Sequence, residues 1–327
     1  MKKLIIIISI LIMIYTVNAD NLSNIESAFI DIGLGARGIG MGGAYSAISK
    51  DANSMIWNPS GMVLNQDRYC INFDYADLYG LYRYSFFGLS GFINEGIASG
   101  VGMLYSGDDS MNETSIYLSG AILGSYANNY VKFMPKKLTL GMNIRILLSS
   151  YGNNSDGAWY DENNLNHQVQ GNAKGYAVDL GLNYLISEKD RIAMVMKNTL
   201  GSISWDSKND IGTAEGKYSE GLPTNLTFGY ARTENKFIVA VDINKALHSD
   251  TEDYLLLGIE YNLFKELMDL RAGYSQEMNT GLNRKYSFGT GFHINLGKNI
   301  FDIDMSYQIH TEWEKHNTLR LSCGIGI

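Results

Sequence analysis

Residues 301–309, FDIDMSYQI, put Phe301, Ile303, Met305, Tyr307 and Ile309 on one side of an extended chain and Asp302, Asp304, Ser306 and Gln308 on the other. Successive side chains of a strand point to opposite faces, so a strict period of two marks a sheet with one greasy and one polar face. The same division recurs at 138–146 (LTLGMNIRI), at 176–184 (YAVDLGLNY) and at 319–327 (LRLSCGIGI). In each stretch bulky residues such as Ile144, Leu180 and Leu321 oppose small or polar ones such as Asn143, Asp179 and Ser322.

From residue 67 onward about 14 such segments can be counted, beginning near residues 67, 80, 95, 113, 136, 174, 190, 221, 235, 252, 267, 284, 299 and 316. An even number lets an antiparallel sheet close into a cylinder with both chain ends on one side. The 261 residues from 67 to 327 allow roughly 19 per strand, room for a tilted membrane strand of ~9–11 residues and a connection. If the first strand climbs outward, the connections after strands 5 and 7 are the two longest polar stretches, 151–174 and 198–220, whereas SEKD, RTEN and LGKN make short turns at the other end. Long loops outside and short turns inside suit a transmembrane barrel.

A soluble β-sandwich also alternates, but its apolar face must be covered by a second sheet and its polar face lies in bulk water. Here the polar face is poor in Lys and Glu and rich in Gly, Ser, Asn and Asp, as a confined lumen would want. The reading is therefore all-β: a 14-stranded antiparallel transmembrane β-barrel over 67–327. Composition agrees, with 35 Gly and 22 Tyr but 3 Pro among 327 residues, a profile suited to strands and aromatic interface belts. A formal charge of −8 argues against nucleic acid, whose phosphates need a basic face. Cys70 falls in the lumen phase and Cys323 in the lipid phase, so no disulfide is expected between them.

Residues 1–19 carry Lys2 and Lys3, an apolar block and Val17-Asn18-Ala19, the pattern of a cleaved secretory signal. The block is shorter than the roughly 20 apolar residues of a spanning helix. Residues 20–66 lack alternation and contain Gly33-x-Gly35-x-x-Gly38, the spacing of a dinucleotide cradle. That use requires a βαβ unit, and no parallel sheet follows. The segment is read instead as a hatch with short helical pieces at 44–48 and 52–57, Asp51 as N-cap of the second and Asn58-Pro59 as its stop.

The run GARGIGMGGAYSAISKDANSMIWNPSGM, residues 35–62, resembles the N-terminal plug of FadL-like outer-membrane proteins, the group of long-chain fatty-acid transporters and PorV-type barrels. KNTLG at 197, LPTNLTFGYA at 222, GIEY at 258 and LRAGY at 270 fit the same group. The resemblance implies a barrel in the outer membrane of a diderm bacterium with residues 20–66 folded into its lumen. The plug residues that carry it are Gly35, Arg37, Gly38, Gly40, Gly42, Gly43, Asp51, Ala52, Asn58 and Pro59. It further implies passive, hatch-gated uptake of hydrophobic compounds such as fatty acids, with exit sideways through a gap at a kinked strand.

Gly96, Gly100 and Gly102, in the third predicted strand, are candidates for such a lateral gap, or for room left to the hatch. The second strand carries apolar residues on both faces, Phe86 on one and Phe87 on the other, so it wants an apolar partner inside. Met55 and Trp57 of the hatch, or an aliphatic ligand, would serve. A fatty-acid carboxylate would want a cation in a poorly hydrated site, and Arg145 and Arg271 are the mid-strand lumen-phase arginines; salt bridging to Asp179, Asp302 or Asp304 is their alternative role.

His167, His248, His293, His310 and His316 show no metal spacing and no Ser-His-Asp grouping, so no enzyme, cofactor or metal is expected. The expected partners are membrane lipid and a hydrophobic small molecule, with the chain a monomer. The competing reading is a non-transport barrel, a secretion accessory or surface adhesin acting through its long outer loops.

Overall fold

The computed structural model describes residues 33–78, 82–108, 110–152, 160, 163, 168–209, 211–212, 215–247, 252–264, 267–281, 283–311 and 317–327. The segment 1–19 read as an export signal lies outside them. Fifteen strands form one sheet: β1 (Tyr69–Leu78), β2 (Tyr82–Asn94), β3 (Ile97–Gly107), β4 (Met111–Leu123), β5 (Leu138–Tyr151), β6 (Gln170–Leu185), β7 (Asp190–Lys208), β8 (Gly216–Gly221), β9 (Asn225–Glu234), β10 (Phe237–Ala246), β11 (Tyr254–Leu263), β12 (Met268–Glu277), β13 (Arg284–Leu296), β14 (Asn299–His310) and β15 (Thr318–Gly326). Each pairs antiparallel with its neighbours, and β1 closes the ring on β15 from Cys70 opposite Gly326 to Asp77 opposite Leu319. Both β8 and β9 pair with β7, one above the other, and only 222–224 separates them. They act as one wall strand, so the ring is a 14-stranded cylinder. Apart from the short β8, which pairs on one edge, every strand of the ring has two neighbours, which is what lets a sheet cross hydrocarbon with its backbone groups paired.

The period of two follows from what lies on each side of the wall. Phe73, Val101, Ile144, Leu270, Met305 and Leu321 face outward and are exposed, an apolar belt fit for lipid. Asp74, Glu113, Arg145, Asp242, Glu260 and Arg320 face inward and are buried. A bore of fourteen strands is too wide for wall side chains to fill, and residues 33–65 occupy it. They contain α1 (Ala36–Gly40), α2 (Ser54–Trp57) and a 3₁₀ turn (Pro59–Leu64). One more helical turn, α3 (Gly124–Ala127), follows β4 at the inner rim.

Two sequence expectations need correction. The helical piece at 44–48 is an isolated turn, because the Tyr45 and Ser46 N–H groups donate to Asp242 Oδ2 at 3.1 and 2.9 Å. Helix forms instead in the glycine run, as α1. The long outer loop at 198–220 is mostly strand: β7 reaches Lys208 and β8 starts at Gly216, leaving 209–215 as the connection. Its alternation is inverted, with Ile203 and Trp205 facing in and Ser204 and Asp206 facing out, so its exposed residues look like loop composition. The other long stretch, 151–174, falls largely outside the described residues.

Leu321→Arg on the lipid face should destabilise the folded barrel by about 2–4 kcal/mol at mid-membrane depth. Denaturant titration of the barrel in lipid vesicles measures it; an effect below ~0.5 kcal/mol would deny that this face meets hydrocarbon.

Candidate functional site

The hatch is held by direct contact of backbone against the wall at inward glycines. A Cβ on Gly273 would lie 2.0 Å from Gly42 N, one on Gly258 2.5 Å from Met41 O, and one on Gly141 2.2 Å from Ser60 N. Such distances exclude any side chain, so hatch and wall fit only while these positions are glycine. Gly42 has φ 66° and its own Cβ position lies 2.5 Å from Tyr274 N. Gly43 and Gly35 also adopt positive φ.

Polar contacts then fix the register. Asn58, in extended conformation between α2 and the 3₁₀ turn, accepts from Ser60 N and donates to Ser46 O and to Leu182 O of β6 at 2.9 and 3.2 Å. Pro59 follows at the first position of that turn, where its missing N–H costs nothing. The Ala36 N–H that would cradle a phosphate in a nucleotide site instead donates to Ser322 Oγ at 2.6 Å. Ala52 N donates to Asn72 Oδ1, and Asp51 Oδ1 accepts from Asn53 N at 2.9 Å. Burial in the bore pushes the Asp51 carboxyl above its ordinary pKa, against the opposing field of Arg37.

Arg37 is the hatch's electrostatic anchor. Its Nη2 and Nε reach the two oxygens of Glu260 at 2.8 and 2.9 Å, a bidentate pair. Burial disfavours its charge, but Glu260 and the surrounding carboxylates more than offset that, so it stays protonated. Glu260 is shared with Arg271 Nε at 2.6 Å; Arg271 also contacts Asp269 at 2.9 Å and Asp304. His293 bridges Asp269 and Asp302 at 2.8 and 2.6 Å. With no exposed side-chain surface and three carboxylate partners, Arg271 has no face left for a ligand carboxylate.

The residues named from sequence divide by their position. Met55 and Phe86 are fully buried in one apolar cluster against β2–β4, with Trp57 packed beside it. Gly100 and Gly102 face inward, their Cβ positions 3.1 and 3.4 Å from Met55 Sδ. Gly96 lies in the turn after β2, against Tyr126. The β3 ladders run unbroken from residue 97 to 107 against β4 and from 97 to 106 against β2, with one bulge at the inner end of β2. Phe87 is 49% exposed on the outer face, one residue out of phase with Phe86, and so is not part of an inner site. Arg145 pairs with Asp179 at 3.0 Å, and Asn143 ties that pair to the hatch by donating to Met55 O at 2.7 Å.

Above Arg145 the wall changes character. Strands β5, β6 and β7 have 14, 16 and 19 residues against ten in β9 to β12, and β7 projects past its last pair with β9, Lys197 opposite Asn225, on to Lys208. On this projection the inner surface is apolar: Leu147, Ala173, Ala177, Ile203, Trp205 and Leu222 form one buried cluster. Its outer surface is polar and exposed, with Asn172, Lys174, Ser204, Asp206 and Lys217. An open cleft of about 1030 Å³ lies against this projection, lined mostly by its polar outer-face residues, Asn172, Lys174, Ser204, Asp206 and Lys217 among them, and reaching Ala173, Trp205 and Tyr218. Trp205 stacks on Tyr218 with 6.2 Å between centroids and donates to Glu220 Oε1 at 2.7 Å. The missed signal was the phase inversion in ISWDS, residues 203–207.

A closed cylinder with a filled bore defines a plugged-barrel class, and solved structures share the fold. The CymD monoaromatic hydrocarbon channel superposes with TM-score 0.61 at 18% identity over 91% of this chain and 97% of its own. The Pseudomonas putida toluene transporter TodX gives 0.60 at 13% identity over 91% and 98%. A Pseudomonas aeruginosa FadL homologue gives 0.61 at 10% identity over 91% and 99%. The chain has the FadL-like barrel fold. No protein-family model matches it, and no curated protein does either.

Arg271→Ala should cost about 3–5 kcal/mol by leaving Glu260, Asp269 and Asp304 buried without their cation. Loss of heat-resistant migration and faster proteolysis between residues 33 and 65 would register it; an unperturbed barrel would show that the cluster is hydrated and weak.

Proposed function

We propose that the protein is an outer-membrane channel that admits hydrophobic small molecules, fatty acids or aromatic hydrocarbons among them, by passive passage past the hatch. The observation that carries this reading is the inverted projection: a wall apolar inside and polar outside, above the membrane, has no structural use for lipid but offers an apolar solute a first resting place. The fold shared with hydrocarbon channels and a FadL homologue supports it. Residues 1–19 would serve as the export signal, and residues 20–66 as the hatch that closes the bore.

Uncharged solutes suit the path better than anions. Arg145, the cation beneath the vestibule, is already compensated by Asp179, so binding is expected to come from apolar area and not from charge. Fatty acids would then bind through their chains.

Trp205→Ala should weaken binding of an apolar probe by about tenfold or more, the ~1.5–3 kcal/mol of a large buried side chain. Arg145→Gln should affect a fatty acid and its uncharged alcohol alike. Equilibrium binding to the purified barrel tests both. Absence of binding by the unmodified protein, with partner proteins co-purifying through the outer loops, would support the scaffold alternative.

A further inference from the structure

Leu138, Leu182, Met194 and Met196 belong to the outward phase of β5, β6 and β7, yet they are 0, 2, 4 and 3% exposed, whereas Met142 and Tyr176 on the same faces are 45 and 54% exposed. The register sets them side by side: Leu140 stands opposite Leu182, Leu182 opposite Met194 and Leu180 opposite Met196. The cause lies on the other side of the wall. Gly141 and Gly181 rest on the hatch, where a Cβ would lie 2.2 Å from Ser60 N and 2.2 Å from Asn58 Oδ1, and Asn183 Nδ2 donates to Ser60 Oγ at 2.9 Å. The wall is drawn inward onto the hatch, so its outer surface is hollowed. A Cβ on Gly120, in the outward phase of β4, would meet nothing within 4 Å. An apolar groove of about 430 Å³ results, lined by Ile97, Ile122, Met142, Leu180, Met194 and Met196 with no polar side chain in its lining.

At the inner rim β4 and β5, which line this groove, are joined by residues 124–137, and Met134 of that connection packs against Leu138, Leu182, Met194 and Met196. The connection is held in shape. Asn128 Nδ2 donates to Lys132 O and Met134 O at 3.1 and 2.7 Å, Asn94 Nδ2 donates to the Tyr126 hydroxyl at 3.3 Å, and Leu185 N donates to Lys137 O. It displays Tyr130 and Phe133, 75 and 59% exposed, aromatic residues of the kind that sit at headgroup level in a bilayer. Lys132, Lys136 and Lys137 stand among them in a stretch that contains no acid. All three are exposed, and among the described residues none forms an ion pair; Lys137 Nζ reaches Ile186 O at 3.4 Å. The neighbouring inner turns differ, since there Lys189 pairs with Glu234 and Arg232 with Asp190. Flanking turns add Glu95 and Glu188, which leaves the lysine stretch in excess in a chain whose formal charge is −8.

We propose that the groove and the 124–137 connection form one binding site for an anionic phospholipid of the leaflet at the short-turn end of the barrel. An acyl chain fills the groove against Met194 and Met196, whose unbranched side chains adapt to an irregular partner. The phosphate lies at Lys132, Lys136 and Lys137, with Tyr130 and Phe133 at the glycerol level. A hollow left empty would forfeit the contacts of its lining, and hydrocarbon is what surrounds this face. The hatch-backed wall at Gly141 and Gly181 separates the groove from the bore, so its occupant is a lipid of the membrane and not the solute in transit. The proposal rests on the membrane placement of the barrel and is independent of what passes through it.

Native mass spectrometry of the purified barrel, titrated in detergent with phosphatidylglycerol or with phosphatidylcholine of the same chains, tests the site. One phosphatidylglycerol should be retained about tenfold more tightly than phosphatidylcholine, and raising the salt should erase the difference. Replacing Lys132, Lys136 and Lys137 together by Gln, on exposed positions that do not disturb the fold, should remove the preference while leaving phosphatidylcholine binding unchanged. Gly120→Trp, which fills the open groove, should weaken both lipids severalfold. Equal retention of the two lipids, a preference that survives the lysine replacement, or unsaturable binding of several molecules overturns the headgroup site. Unaltered binding by a folded Gly120→Trp barrel overturns the groove as the seat of the chain. A protein that stays monodisperse without detergent and fails to enter vesicles instead overturns the membrane reading itself.

Discussion

A wide cylinder in a membrane is stable only if its bore is filled by something that satisfies the inward polar face. Here the filling is main chain laid on main chain, hatch backbone against wall glycines at Gly141, Gly258 and Gly273. That contact explains why glycine recurs in the inward phase of strands that would otherwise prefer branched residues. It also explains the hydrogen-bond pattern. Wall side chains such as Asp242, Asn72 and Ser322 end on hatch N–H groups, and Asn58 ends on the wall carbonyl of Leu182. Without those partners each would be a buried unsatisfied group.

The two sides of the bore are filled differently, and the difference bears on movement. Toward β11–β14 the hatch is held by charge, through Arg37, Glu260 and the cluster around Arg271. Toward β2–β4 it is held by packing of Met55 and Ile56 against Phe86. Charge pairs buried together are costly to separate singly, whereas an apolar contact yields by degrees. Any displacement is therefore expected to begin on the Met55 side, with Arg37 as the fixed end.

Phe301, Ile303 and Met305 announced their strand because lipid on one side and hatch on the other impose opposite chemistries along its length. The plug was readable because its glycines and the Asn58-Pro59 stop each answer a local backbone demand. The reading weakened wherever a long-range partner decided the outcome. Tyr45 and Ser46 look helical until Asp242, far along the chain, takes their N–H groups. Phe86 and Phe87 look alike in sequence, yet one meets the hatch and the other meets lipid. Ser204 and Asp206 read as loop because at the outer end of β7 the apolar residues turn inward, and no residue in that stretch announces the reversal.

The central claim, that one wall meets lipid below and water above while its inner face reverses, is tested most directly by a bimane-cysteine scan along β5 and β7 in bilayers carrying brominated lipid. Quenching by lipid should be strong at positions 144, 146 and 200 and absent at 145, 147 and 203, with positions 204 and 206 reached only by aqueous iodide. Lipid quenching at both parities of β5, or at 204 and 206, would contradict the account.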